Sequence, residues 1–119
     1  MHMATIKKEE WENLWEKINK SVESWRTPDG WKCEHMGTFS FDGYKIEWNH
    51  HYSLNYEGVP FNNLTMNYYR PLYPEQEARG DKFWRKEGSG AHCDIGKPKM
   101  KSLRASVEKL LDKEGITIE

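Results

Sequence analysis

Cysteine is scarce, long apolar runs are missing, and neither sign of charge prevails; each absence narrows what the chain can be. Two cysteines, Cys33 and Cys93, cannot build the disulfide framework of a small secreted domain, so the expected compartment is a reducing cytoplasm. No stretch approaches the ~20 consecutive apolar residues of a membrane-spanning helix, and the opening residues contain no apolar block of the kind a secretory signal carries. Lys and Arg number 18 against 19 Asp and Glu, a formal net charge of −1. With a pI near 6.5, the chain lacks the overall basic balance of nucleic-acid-binding domains, whose pI often exceeds ~9. Also absent are the Gly-x4-Gly-Lys-Ser/Thr phosphate loop and the dinucleotide-binding glycine fingerprint.

What is present is aromatic. Six Trp, six Tyr and four Phe occur among 119 residues, although mean hydropathy is only −1.00. Disordered chains combine low hydropathy with high net charge and few aromatics, so this composition predicts a folded domain with an aromatic core. The length suits one domain, and residues 4–119 are expected to form it. Met1 and His2 read as an expression remnant, with the natural start at Met3.

The periodicity changes along the chain. Trp11, Leu14, Trp15, Ile18, Val22 and Trp25 recur at steps of three and four, which predicts an amphipathic helix. Thr5 is its expected N-cap, and Thr27-Pro28-Asp29-Gly30 its stop. Beyond Trp31 the period becomes two. Phe39 and Phe41 lead into Asp42-Gly43, a two-residue hairpin signal. Tyr44, Ile46, Trp48, His50, Tyr52, Leu54 and Tyr56 then alternate with Lys45, Glu47, Asn49, His51, Ser53 and Asn55 in the cleanest strand of the chain. Glu57-Gly58 predicts a turn, and Leu64, Met66 and Tyr68 a third strand. Residues 71–98 read as irregular, with Lys82–Arg85 a short edge strand and Gly88-Ser89-Gly90 a flexible or tightly turning link. Met100, Leu103, Val107, Leu110 and Leu111 predict a last helix from near Pro98, closed by Gly115, with Ile116–Ile118 a short terminal strand. The expected fold is two-layer α+β: an antiparallel meander of three to four strands with an N-terminal and a C-terminal helix on one face.

No constellation declares an enzyme or a metal protein. Cys33, His35, His50, His51, His92 and Cys93 contain none of the paired spacings usual at zinc sites, and His50 and His51 point to opposite faces of one strand. Hence no metal and no cofactor is expected. Cys93 lies shortly before the last helix, with Lys97 and Lys99 close by, yet no oriented base can be named beside it. His92 and Cys93 are thus the weakest reading, a small enzyme or metal protein, and His50 reads as a hydrogen-bonded core histidine.

Two surfaces remain. Between Arg79 and Arg104, eight basic residues face three acidic ones. Lys82, Arg85, Lys86, Lys97, Lys99, Lys101 and Arg104 are the candidate contacts for a nucleic acid or another polyanion. Four of them surround the start of the last helix, whose free N–H groups favour anions, and the order of elements resembles that of double-stranded RNA-binding domains in topology alone. The other surface is the wet face of the sheet, where Asn49, His51, Ser53, Asn55, Thr65, Asn67 and Tyr69 form an uncharged plate of amides and hydroxyls, the composition of adaptable protein-recognition surfaces. Trp31 and Trp84 lie outside every apolar stripe and are the aromatic candidates for a partner contact. The expected function is a non-catalytic binding protein, acting stoichiometrically on a protein partner in the manner of an inhibitor, an immunity protein or a phage-encoded modulator. The alternative is the nucleic-acid or polyanion binder.

Overall fold

The computed structural model describes residues 4–23, 32–54, 60–80, 85–93 and 97–119, with the side chains of 23, 32–34, 53–54, 60–61, 85–93 and 97–98 outside that description. The elements run β1 (Thr5–Ile6), α1 (Lys8–Glu23), β2 (Lys32–Phe41), β3 (Tyr44–Leu54), β4 (Pro60–Arg70), α2 (Pro74–Ala78), β5 (Arg85–Cys93), α3 (Lys97–Lys113) and β6 (Thr117–Ile118). Strands β2, β3, β4 and β5 form one antiparallel sheet in that order, and β1 pairs with β6 in parallel. This is the expected α+β architecture.

Each predicted periodicity has become an element. Asp42 and Gly43 both take positive φ, 46° and 85°, as a tight hairpin turn between twisted strands requires. The inward residues of β3 and β4, namely Tyr44, Ile46, Trp48, Leu64, Met66 and Tyr68, join Trp11, Leu14, Trp15, Ile18 and Val22 of α1 in one buried cluster, together with Met100, Leu103, Val107 and Leu111 of α3. Both helices therefore cover the same face of the sheet. Ile18, Leu64 and Leu111 are fully buried at 0% exposure, and each such side chain contributes roughly 1.5–3 kcal/mol of transfer free energy. Trp11 and Trp15 meet edge to face, their rings 5.7 Å apart. At the end of α3, the N–H of Gly115 donates to Asp112 and that of Ile116 to Leu111, a Schellman cap that uses the positive φ of Gly115.

Four local expectations are corrected. Thr5 caps no helix: it is paired with Thr117 in the β1–β6 ladder, and α1 begins at Lys8. Gly88-Ser89-Gly90 is no link, because all three lie within the nine-residue strand β5, where pairing with β4 overrides the weak strand preference of glycine. The fourth strand accordingly runs Arg85–Cys93 instead of Lys82–Arg85. The loop after β4 contains a short helix, α2; its first turn is secured by Gln76 Oε1, which accepts from the Tyr73 N–H and from buried Arg70. Trp25, the Thr27–Gly30 stop, Tyr56 and the Glu57-Gly58 turn lie outside the described residues. No helix among the described residues is long and apolar enough to cross a membrane.

Candidate functional site

Strand register sets out the sheet face turned away from the helices. Adjacent strands place Ser40, Lys45, Tyr69 and Lys86 in one row, Thr38, Glu47, Asn67 and Ser89 in the next, then Met36, Asn49, Thr65 and Ala91, then Glu34, His51, Asn63 and Cys93. The candidates Asn49, His51, Thr65, Asn67 and Tyr69 thus come together, each partly exposed. Ser53 continues the array beside Phe61 and Lys32 by register, and Asn55 lies outside the described residues.

Among the described side chains of this face, the charged ones gather at one end. Lys45 sits 3.5 Å from Glu47 and 4.7 Å above the Tyr69 ring. Burial, followed by the hydrogen bond to Glu47 and that residue's charge, pushes the Tyr69 hydroxyl above its ordinary range. Along the remaining rows the described groups are amides, hydroxyls and one imidazole, with Asn63 Nδ2 donating to Thr65 Oγ1 at 3.2 Å. Met36, 67% exposed, is the large apolar side chain among the described ones of this face. Composition gave it no prominence; the parity of β2, which turns even-numbered residues outward, is the signal that finds it.

The basic segment divides differently. Lys82, Trp84 and also Trp31 lie outside the described residues. Arg85 and Lys86 open β5 and Lys97 opens α3, each placed by backbone alone. Lys99 and Lys101 are exposed on the first turns of α3. Arg104 is already engaged: it bonds Glu12 on α1 and Glu108 one turn along α3, the latter at 2.7 Å. The hydrogen bond from Arg104 holds the Glu12 carboxyl below the usual range; desolvation opposes it, and the charges of Arg104 and Lys8 add to it. Trp11 Nε1 also donates to Glu108, at 3.0 Å, so the group locks the two helices together.

A second polar cluster is buried. His50 has 0% exposure; its Nε2 lies 2.6 Å from Asn62 Oδ1 and its Nδ1 3.2 Å from Ser21 Oγ. An amide oxygen only accepts, so Nε2 carries the proton and Nδ1 accepts from the Ser21 hydroxyl. Ser21 Oγ in turn lies 2.6 Å from His35 Nδ1, which must then be the donor. Desolvation is the main cause that drives the His50 pKa below its ordinary 6.5, with His35 and His51 adding and the Asn62 bond opposing. The order hydroxyl, imidazole, amide matches a nucleophile, a base and an orienting group in type, but Ser21 is 8% exposed and its bonds tie the end of α1 to β2, β3 and β4. Sequence parity put His50 in the core; its partners, 29 and 12 positions away, carried no sequence signal.

Among the described residues there is no group of three or more His, Cys, Asp or Glu that could hold a metal ion; the side chains of Cys33, His92 and Cys93 are outside that set. Lastly, a cleft of about 260 Å³ opens between α1 and β2. No protein-family model, no curated protein and no solved structure matches the chain.

Proposed function

We propose that the chain is a non-catalytic binding module of the cytoplasm that acts stoichiometrically on a protein partner, as an inhibitor, immunity protein or phage-encoded modulator does, through the helix-free face of its sheet. The observation that carries the reading is the row array on that face: amides and hydroxyls across its centre, an exposed Met36, and charged residues at the two ends, Lys45 and Glu47 at one and Glu34 and Lys32 by register at the other. Such a plate offers hydrogen bonds without the desolvation cost of burying charges. Four strands ~4.8 Å apart and about eight ladder steps of ~3.4 Å give roughly 500 Å². That is short of the ~800 Å² per partner of a standard interface, so residues at the rim of the sheet must take part.

The test compares Asn67→Arg and Met36→Asp with the native chain, immobilised in a lysate of the source. The expected result is one protein retained in equimolar amount by the native chain and released by both variants, a loss of at least tenfold in affinity or ~1.4 kcal/mol, with unchanged melting temperatures. Equal retention by all three chains overturns the reading. So does binding to duplex nucleic acid that falls with salt at ~0.9 per phosphate on a log–log scale and vanishes in Lys99→Glu/Lys101→Glu; that outcome would install the polyanion alternative.

A further inference from the structure

The cleft between α1 and β2 opens on the helix side of the sheet and shares Thr38 at its rim with the proposed partner face. Its helical wall is the stripe Glu10, Asn13, Leu14 and Lys17; its other wall is Gly37, Thr38 and Phe39 of β2, with Trp48 of β3 behind them. Residue 37 has to be glycine for the cleft to exist. A Cβ there would stand 2.6 Å from Trp48 Nε1, so the indole of the paired residue lies over the bare backbone and brings its N–H to the sheet edge. Trp48 is 6% exposed, and its N–H has no acceptor among the described residues. The N–H is therefore available to an acceptor that enters the cleft. Lys17, exposed on the same wall, forms no ion pair with the described residues.

Among the described residues strand β2 is also an edge: the sheet order starts with it, and β3 is its sole neighbour there. We propose that this edge and cleft form a docking site for an extended segment of a partner protein, which pairs with β2 and drops a carboxylate side chain over Gly37 onto the Trp48 N–H, the Asn13 amide and the Lys17 ammonium. Edge addition with a side-chain pocket is an established mode of peptide recognition. The size of the cleft, about 260 Å³, is below the ~300–1,000 Å³ of small-molecule sites and suits one side chain. Charge selects the occupant. Lys17 and Glu10 mark opposite ends of the helical wall, seven residues or ~10 Å apart along the axis, so a carboxylate is favoured at the Lys17 end. A second copy pairing through β2 would offer His35, Gly37, Phe39 and Phe41 on this side of the sheet, the partners of His50, Trp48, Ile46 and Tyr44, and none of these carries a carboxylate.

The test titrates ¹⁵N-labelled protein with the peptide Ac-Thr-Val-Glu-Val-Thr-NH₂, its Gln counterpart and an N-methylated form, following the Trp48 indole resonance identified by its proximity to Gly37 and Phe39. The expected result is a saturable shift of that resonance by the Glu peptide at millimolar concentration or below. Affinity should fall at least tenfold for the Gln peptide and for Lys17→Glu, an exposed substitution that leaves the core intact, and binding should be lost for the N-methylated peptide. No shift, or equal affinity for Glu and Gln peptides, overturns the assignment. Concentration-dependent dimerisation that excludes the peptide overturns it too, and gives the edge to a second copy.

Discussion

Acid should weaken this fold through one residue. His50 is sealed in the core with Asn62 and Ser21 holding its two nitrogens, and burial lowers its folded-state pKa from the ordinary 6.5. The unfolded chain therefore binds a proton near pH 6.5 that the folded chain refuses. Stability is fully present above that pH and declines as the pH falls toward the lowered folded value, with a limiting slope of about 1.4 kcal/mol per pH unit. Between pH 7.5 and 5.5 the loss attributable to His50 approaches ~1.4 kcal/mol, or about 5 °C in melting temperature for a domain of this size. The physical cause is double: a charge would enter a dry site facing His35, and Nδ1 would cease to accept from Ser21. Thermal unfolding of the native chain and of His50→Gln across pH 5–8 isolates the effect, because the two chains differ at that position alone. The native curve should fall more steeply below pH 6.5. Parallel curves would refute the reasoning, whatever the absolute stability of the variant.

Two further substitutions test the packing. Gly37→Ala places a Cβ against three atoms of the Trp48 ring at 2.6–3.0 Å and should cost about 1–3 kcal/mol, read as a lower denaturation midpoint with shifted Trp48 resonances; a neutral result would mean that the indole moves at no cost. Trp11→Phe should destabilise more than Trp15→Phe, by roughly 1–2 kcal/mol in chemical denaturation. Trp11 donates to Glu108, whereas the buried Trp15 N–H has no partner among the described residues, so only the first substitution removes a hydrogen bond; the opposite order would contradict that reading.

Legibility followed the range of the interaction. Helices α1 and α3 and the alternation of β3 and β4 were readable because burying one face imposes a period on neighbouring residues. The Asp42-Gly43 turn was readable because positive φ narrows the choice of residue. Strand β5 was not, since its Gly-Ser-Gly centre is extended through the ladder with β4 and not by local preference. Two-residue strands such as β1 and β6 are too short to carry any period. The polar face of the sheet was legible as a parity, but Met36 emerged only when β2 took its place in register. The Ser21–His35–His50–Asn62 cluster and the cleft over Gly37 join residues from different elements, and no spacing within one element announces either.

The β1–β6 ladder has a mechanical meaning. Thr117 donates to Ala4 and Glu119 to Ile6, while Lys8 donates to Glu119, and the Thr5 N–H is anchored to Asp42 at the β2–β3 turn. Because the two strands run parallel, tension applied to opposite ends of the chain pulls them lengthwise past each other. Their hydrogen bonds are then loaded together, as in a shear clamp, instead of opening one after another like a zip. Force transmitted through the ends meets this clasp before it reaches the helices, so the core is shielded by its smallest sheet.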